Sequence, residues 1–121
     1  MSAPHIELGH DGEELAAAWY RDHGFAIVDR NWRTTFGELD LVAVRDSELV
    51  VAEVKTRSTD AFGSPAHAVG AAKQRRLRRL ALAWLAAQRE QGGPCGHRHY
   101  DIRFDVVAVV GDRVDVYAGA F

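Results

Sequence analysis

The stretch GELDLVAVRDSELVVAEVKTR (37–57) decides the reading of this chain. Two apolar runs flank a short polar segment with Asp46-Ser47 at its centre, which is the pattern of a β-hairpin. Loops of two or of four residues centred there give one register, in which Val44 faces Leu49, Val42 faces Val51, Asp40 faces Glu53 and Glu38 faces Lys55. Strand side chains alternate with period two, so these eight share one face. Leu39, Leu41, Ala43, Val50, Ala52 and Val54 form a second, wholly apolar face. Both faces therefore read as buried near the turn, and one becomes ionic at the open end.

Directly opposed residues hold their Cβ atoms roughly 4.5–5.5 Å apart. Two carboxylates at that separation repel each other, and burial strengthens the repulsion. A divalent cation offsets it: Mg²⁺ takes one or two protein carboxylates and completes its shell with water and substrate phosphate. Lys55, two residues from Glu53 on the same face, is placed to hold a nucleophilic water or to stabilise charge at a phosphorus centre. A structural alternative stands beside this one, with Glu38–Lys55 an ordinary cross-strand salt bridge and Asp40 satisfied by an arginine.

Working outward, GEELAAAWYRDHG (12–24) is Ala-rich, acidic in its first turn and closed by Gly24, so it reads as a helix with Asp11 as N-cap. FAIVDRNWR (25–33) reads as a strand. TRSTDAFGSPAH (56–67) is an exposed loop, and Ser64-Pro65 offers a helix start, interrupted at Gly70. The main helix follows as AAKQRRLRRLALAWLAAQRE (71–90), with Leu77, Leu80, Ala81 and Trp84 in one apolar stripe, and GGPCGH ends it. DIRFDVVAVV (101–110) is a further strand, and VDVYA (114–118) a short last one after the turn GDR. The order α-β-β-β-α-β-β implies an α/β domain, a mixed sheet flanked by helices.

The 121 residues are read as one domain, 1–121, long enough for a core without disulfides or a structural metal. Cys95 is the only cysteine, which fits a reducing compartment. The N-terminal MSAPHIELGHDGEE lacks the apolar core of a secretory signal, and no run approaches 18 apolar residues, so a cytoplasmic protein with no membrane partner is expected. The net charge of −2 excludes nothing, because KQRRLRR (73–79) concentrates five positive charges in seven residues and forms a locally basic face.

Asp40, twelve intervening residues, then Glu53-x-Lys55 resembles the signature of the PD-(D/E)xK, or restriction-endonuclease-like, superfamily. GEELAAAWYRDHGFAIVDRNWR, FGELDLVAV, VVAEVKTRS, AVGAAKQRRLRRLALAWL and RFDVVAV, in this order and spacing, are similar to the YraN-like family of small, uncharacterised bacterial proteins. The resemblance covers nearly the whole chain and implies a restriction-endonuclease-like core, closest in motif layout to archaeal-type Holliday-junction resolvases. It implies that Asp40 and Glu53 ligate Mg²⁺ (or Mn²⁺), that Lys55 is the catalytic lysine, and that Glu13 of the N-terminal helix completes the site. It further implies a Mg²⁺-dependent endonuclease acting on DNA in branched or single-stranded form. By analogy with a resolvase, two active sites would come from a homodimer.

At about 100° per residue, Lys73 falls near the Leu77/Leu80/Trp84 stripe and so reaches toward the site, whereas Arg75 and Arg79 point away. Lys73 equally admits an exposed place along apolar surface. Arg75, Arg76, Arg78 and Arg79 are candidates for phosphate contact, with a solvated helix face as the alternative, and Arg57 borders the open end of the hairpin as a substrate clamp. Cys95, His97 and His99 lack zinc-ligand spacing and are expected at the surface. Arg103-Phe104-Asp105 begins a strand and is given a structural role. Two readings compete with the nuclease: a non-catalytic nucleic-acid-binding protein that keeps the fold, and a protein-interaction module whose hairpin charges are structural.

Overall fold

The computed structural model describes residues 4–57, 69–96 and 98–121, with side chains from Gly12 onward. The elements follow in the order α1 (Pro4–Asp22), β1 (Ala26–Thr34), β2 (Gly37–Arg45), β3 (Glu48–Arg57), α2 (Ala71–Gln91), β4 (Asp101–Val110) and β5 (Arg113–Tyr117). The strands lie in that order in one five-stranded sheet. β3 and β4 run parallel, joined by the crossover through α2, and every other neighbouring pair is antiparallel. The sheet is therefore mixed, with one helix on each face.

Side-chain alternation divides the core between those faces. Ala16, Ala17 and Tyr20 of α1 pack on Leu41, Ala43, Val50, Ala52, Val107 and Val109. Leu77, Leu80, Ala81, Trp84 and Leu85 of α2 pack on Leu39, Val42, Leu49, Val51, Phe104 and Val106. The stripe read from the α2 sequence is thus its buried face. Gly92 closes α2 in the left-handed conformation at φ 66, where glycine carries no steric penalty.

Three readings of the sequence need correction. α1 begins at Pro4, so Asp11 lies inside the helix and is not its N-cap; proline is at home in a first helical turn. Gly70, in extended backbone, is the N-cap of α2. Leu39 packs with Val42 and α2, where strict alternation would pair it with Leu41. Cys95, expected at the surface, is 3% exposed and sits in the α2 core with Tyr100 and Leu85. Ser64-Pro65, most of the loop 56–67, and His97 lie outside the described residues. His99 is exposed, as expected.

The β1–β2 ladder is irregular between Ile27 and Asp29. That bulge brings Asp29 under α2, where its Oδ2 accepts the indole N–H of Trp84 at 2.7 Å. Trp84 is 1% exposed, so its one polar group is satisfied inside the core. On the other face, Asp105 is fully buried, yet accepts from Arg103 through both oxygens (2.8 and 2.9 Å), from Tyr20 Oη at 2.6 Å and from the Gly119 N–H at 3.0 Å. The structural role read for this strand holds: one carboxylate ties together β4, α1 and the residues after β5.

Candidate functional site: an acidic fork in the sheet

The hairpin closes on a two-residue turn, Asp46-Ser47, with Asp46 at φ 54. A positive φ at the first central residue is shared by the turns that match strand twist, and aspartate tolerates it. From there β2 and β3 follow the expected register through Val44–Leu49, Val42–Val51 and Leu41–Ala52. The ladder ends at Leu41–Ala52, before Asp40 and Glu53. Beyond it the Asp40 side chain takes up the main-chain bond: Oδ2 accepts the Val54 N–H at 2.8 Å. The strands thus fork, and the two acids lie in the fork. This departure from regular pairing accompanies the break in alternation at Leu39.

The fork opens into a cleft of about 240 Å³ lined by Gly37, Glu38, Asp40, Glu53, Lys73, Arg76, Leu77 and Leu80. Asp40 and Glu53 are only 9% and 8% exposed. Burial, followed by the charge of Glu53, pushes Asp40 up to about 7; the Val54 N–H opposes this, and Glu13 and Glu38 add to it. The repulsion expected from the sequence is therefore present.

Two amines answer it. Lys73 Nζ lies 2.7 Å from Glu53 Oε1, and Lys55 Nζ lies 3.5 Å from the same oxygen. Burial lowers the Lys55 pKa, and the neighbouring Lys73 lowers it further against the pull of Glu53. For Lys73 the burial cost is outweighed by its bond to Glu53, and its pKa rises. The nearer amine takes the carboxylate's stabilisation, so Lys55 is left as the one that gives up its proton more readily. The Glu38–Lys55 bridge of the structural alternative is absent among the described contacts, because past the fork Glu38 belongs to the β1 side and pairs with Arg33 at 2.9 Å.

Glu13 stands close enough for its charge to act on Asp40, and its Oε2 accepts the Asn31 side-chain N–H at 3.0 Å. Gly12 makes this approach possible: a Cβ there would run into the Thr56 side chain of β3. Asn31, on β1 beside the Asp40 level of β2, carries a φ of 50. Asparagine inside a strand is depleted in general and tolerates the left-handed region, so Asn31 stands out in the β1 sequence.

The candidate phosphate-binding residues separate. Lys73 and Arg76 line the cleft. Arg79 lies over the Phe36 ring, 4.9 Å from its centroid, and Arg78 lies over Phe104 and Phe121, at 5.5 and 5.4 Å. Arg75 is exposed on α2, and Arg57 ends β3 two residues beyond Lys55. Among the described residues no group of three His, Cys, Asp or Glu side chains stands at metal-ligating spacing.

Comparison with known proteins places this arrangement in a family context. The family model described as "Uncharacterised protein family UPF0102" matches residues 12–109. A UPF0102 protein of Rhodococcus jostii (strain RHA1) is 49% identical over 89% of this chain and 86% of its own length. Those of Moorella thermoacetica and Thermodesulfovibrio yellowstonii are 44% and 36% identical, covering 100% and 96% of both partners.

Proposed function

Since this chain belongs to the uncharacterised protein family UPF0102, we propose from its cleft that it is a Mg²⁺- or Mn²⁺-dependent endonuclease, hydrolysing phosphodiester bonds in DNA, in branched or single-stranded form. The observation that carries this reading is the pair of buried acids, Asp40 and Glu53, sharing one cleft with two lysines. The donor set suits a hard divalent cation: burial and the charge of Glu53 raise Asp40 there, and the cleft leaves room for waters and a phosphate oxygen. Asp40 and Glu53 would hold the ion. When bound, it supplies charge neutralisation at the scissile phosphate and a nucleophile competent at neutral pH.

The chain's own residues supply the rest of the mechanism. The Val54 N–H fixes the Asp40 carboxylate in the fork, so its orientation costs nothing at the moment of reaction. Lys55, whose pKa is lowered, holds and orients the attacking water and stabilises negative charge on the phosphoryl oxygens. Lys73 neutralises Glu53 when no other cation does. Arg76, at the rim, anchors a flanking phosphate. Glu13, held by Asn31, deepens the negative field of the site. A homodimer and a cytoplasmic location, in keeping with the buried free thiol of Cys95, belong to the same proposal. No helix among the described residues is long and apolar enough to cross a membrane.

The test uses end-labelled single-stranded, linear duplex, nicked and four-way DNA, with RNA alongside, in Mg²⁺ and Mn²⁺. Cleavage of at least one substrate is expected, with about a hundredfold or greater loss in Glu53→Gln at unchanged folding. Wild-type protein that cuts none of them overturns the reading. One observation favours the second reading, a non-catalytic nucleic-acid-binding protein: Lys73 already neutralises Glu53. In that case binding is salt-sensitive and indifferent to Asp40→Asn or Glu53→Gln.

A further inference from the structure

The β1–β2 turn carries an aromatic ring that neither the core nor the catalytic proposal uses. Phe36 is 38% exposed. Among the described residues the other large exposed hydrophobics, Leu82 and Tyr117, lie elsewhere, on α2 and β5. Single exposed apolar side chains are ordinary, but this one is held. The Thr34 hydroxyl donates to the Gly37 carbonyl at 3.1 Å and accepts the Phe36 N–H at 3.2 Å, so both ends of the turn are tied. Gly37, at φ 149, presses so closely on α2 that a Cβ there would stand 3.1 Å from both Arg76 and Leu80. The Arg79 guanidinium then lies over the ring. The next residue, Gly37, lines the cleft with Asp40, Glu53 and Arg76.

A fixed aromatic ring beside cationic side chains at the lip of a phosphate-binding cleft has a defined chemical use. Unpaired bases stack on such rings, while arginines take the adjoining phosphates. Bases inside a duplex are stacked on one another, and their faces are not offered. We infer that Phe36, with Arg79 on its ring, is a stacking platform for an unpaired base at the entrance of the Asp40–Glu53 cleft. The ligand class is a nucleic acid with a single-stranded segment; this deepens the endonuclease reading and rests on it for the nucleic-acid identity of the ligand. Arg79 thereby acts on the base, and Arg76 on the phosphate.

The experiment measures anisotropy of fluorescein-labelled oligo-dT and of a blunt duplex of equal length, with full-length protein at low salt in EDTA. Wild type is expected to bind the single strand more tightly than the duplex. Phe36→Ala should weaken single-strand binding about tenfold, in the range of one stacked base, and leave duplex binding within about twofold. Phe36→Trp should restore it, and because Phe36 is exposed both variants are expected to melt as wild type does. Phe36→Ala with unchanged single-strand affinity, or with equal losses on both ligands, overturns the inference. The measurement contains no divalent cation, so its failure is distinct from that of the nuclease reading, which the Glu53→Gln cleavage comparison decides.

Discussion

At Asp40 a single carboxyl group meets two demands: it accepts the Val54 N–H and faces Glu53 out of water. Its pKa, raised to about 7 from an ordinary 3.8, fixes a sign for the pH dependence of stability. Between those values the folded, metal-free protein holds a proton that the unfolded chain has released, so the Asp40 contribution to stability falls as pH rises from about 4 to about 7. Asp40→Asn keeps an acceptor for Val54 and removes the charge. In urea denaturation with EDTA, it should be more stable than wild type at pH 8, with the difference shrinking toward pH 4; parallel pH profiles would refute this. Asp105, also buried, accepts four hydrogen bonds. Asp105→Ala strands the Tyr20 hydroxyl and leaves the Arg103 guanidinium with Glu48 alone, and should cost about 3 kcal/mol, read from the same denaturation curves. Asp40, Glu53 and Lys55 were legible as neighbours because hairpin register is a local property of sequence. The Lys73–Glu53 pair was half legible, since the helical wheel turned Lys73 inward but could not supply the sheet beneath it. Nothing local announced that Glu38 would leave Lys55 for Arg33, because that depends on where the strands part.

The elements meet where side chains are smallest. Gly12 lets α1 lie against Thr56 of β3, which brings Glu13 over the fork. Glycine to alanine inside a helix ordinarily gains about 1 kcal/mol. Here the new methyl strikes Thr56, so Gly12→Ala should instead destabilise by about 1–2 kcal/mol, and Thr56→Ala should recover much of that loss in the double variant. Independent losses that simply add would show that the two elements do not meet there. The strands and α2 were legible to within a residue or two, because apolar periodicity and the glycines at their ends are strong signals. The early start of α1 was not, since 4–11 holds no apolar stripe to mark it. The burial of Cys95 was hidden for a related reason: a Gly-rich loop reads as surface, and only the fold shows it turned under the end of α2.

Across the whole molecule, three strands form a meander, and the fourth joins only through a parallel pairing that spans the crossover from Arg57 to Asp101. The order α-β-β-β-α-β-β was legible because each element has its own pattern. The parallel pairing follows from topology, since a helix between two strands returns the chain in the same direction. The fork has a consequence in time. Asp40 and Glu53 come together by closing a short, local hairpin, whereas Lys73 arrives only when α2 docks and the long crossover closes, which is the slower, entropically costly step. Pulse-labelled hydrogen exchange should therefore find β2 and β3 amides protected before those of β4, and simultaneous protection would contradict this order. During that interval the acid pair has Lys55 beside it but lacks Lys73, the nearer counter-ion, so on the proposed metal site divalent cations in the refolding buffer should act on the rate as well as on the finished protein.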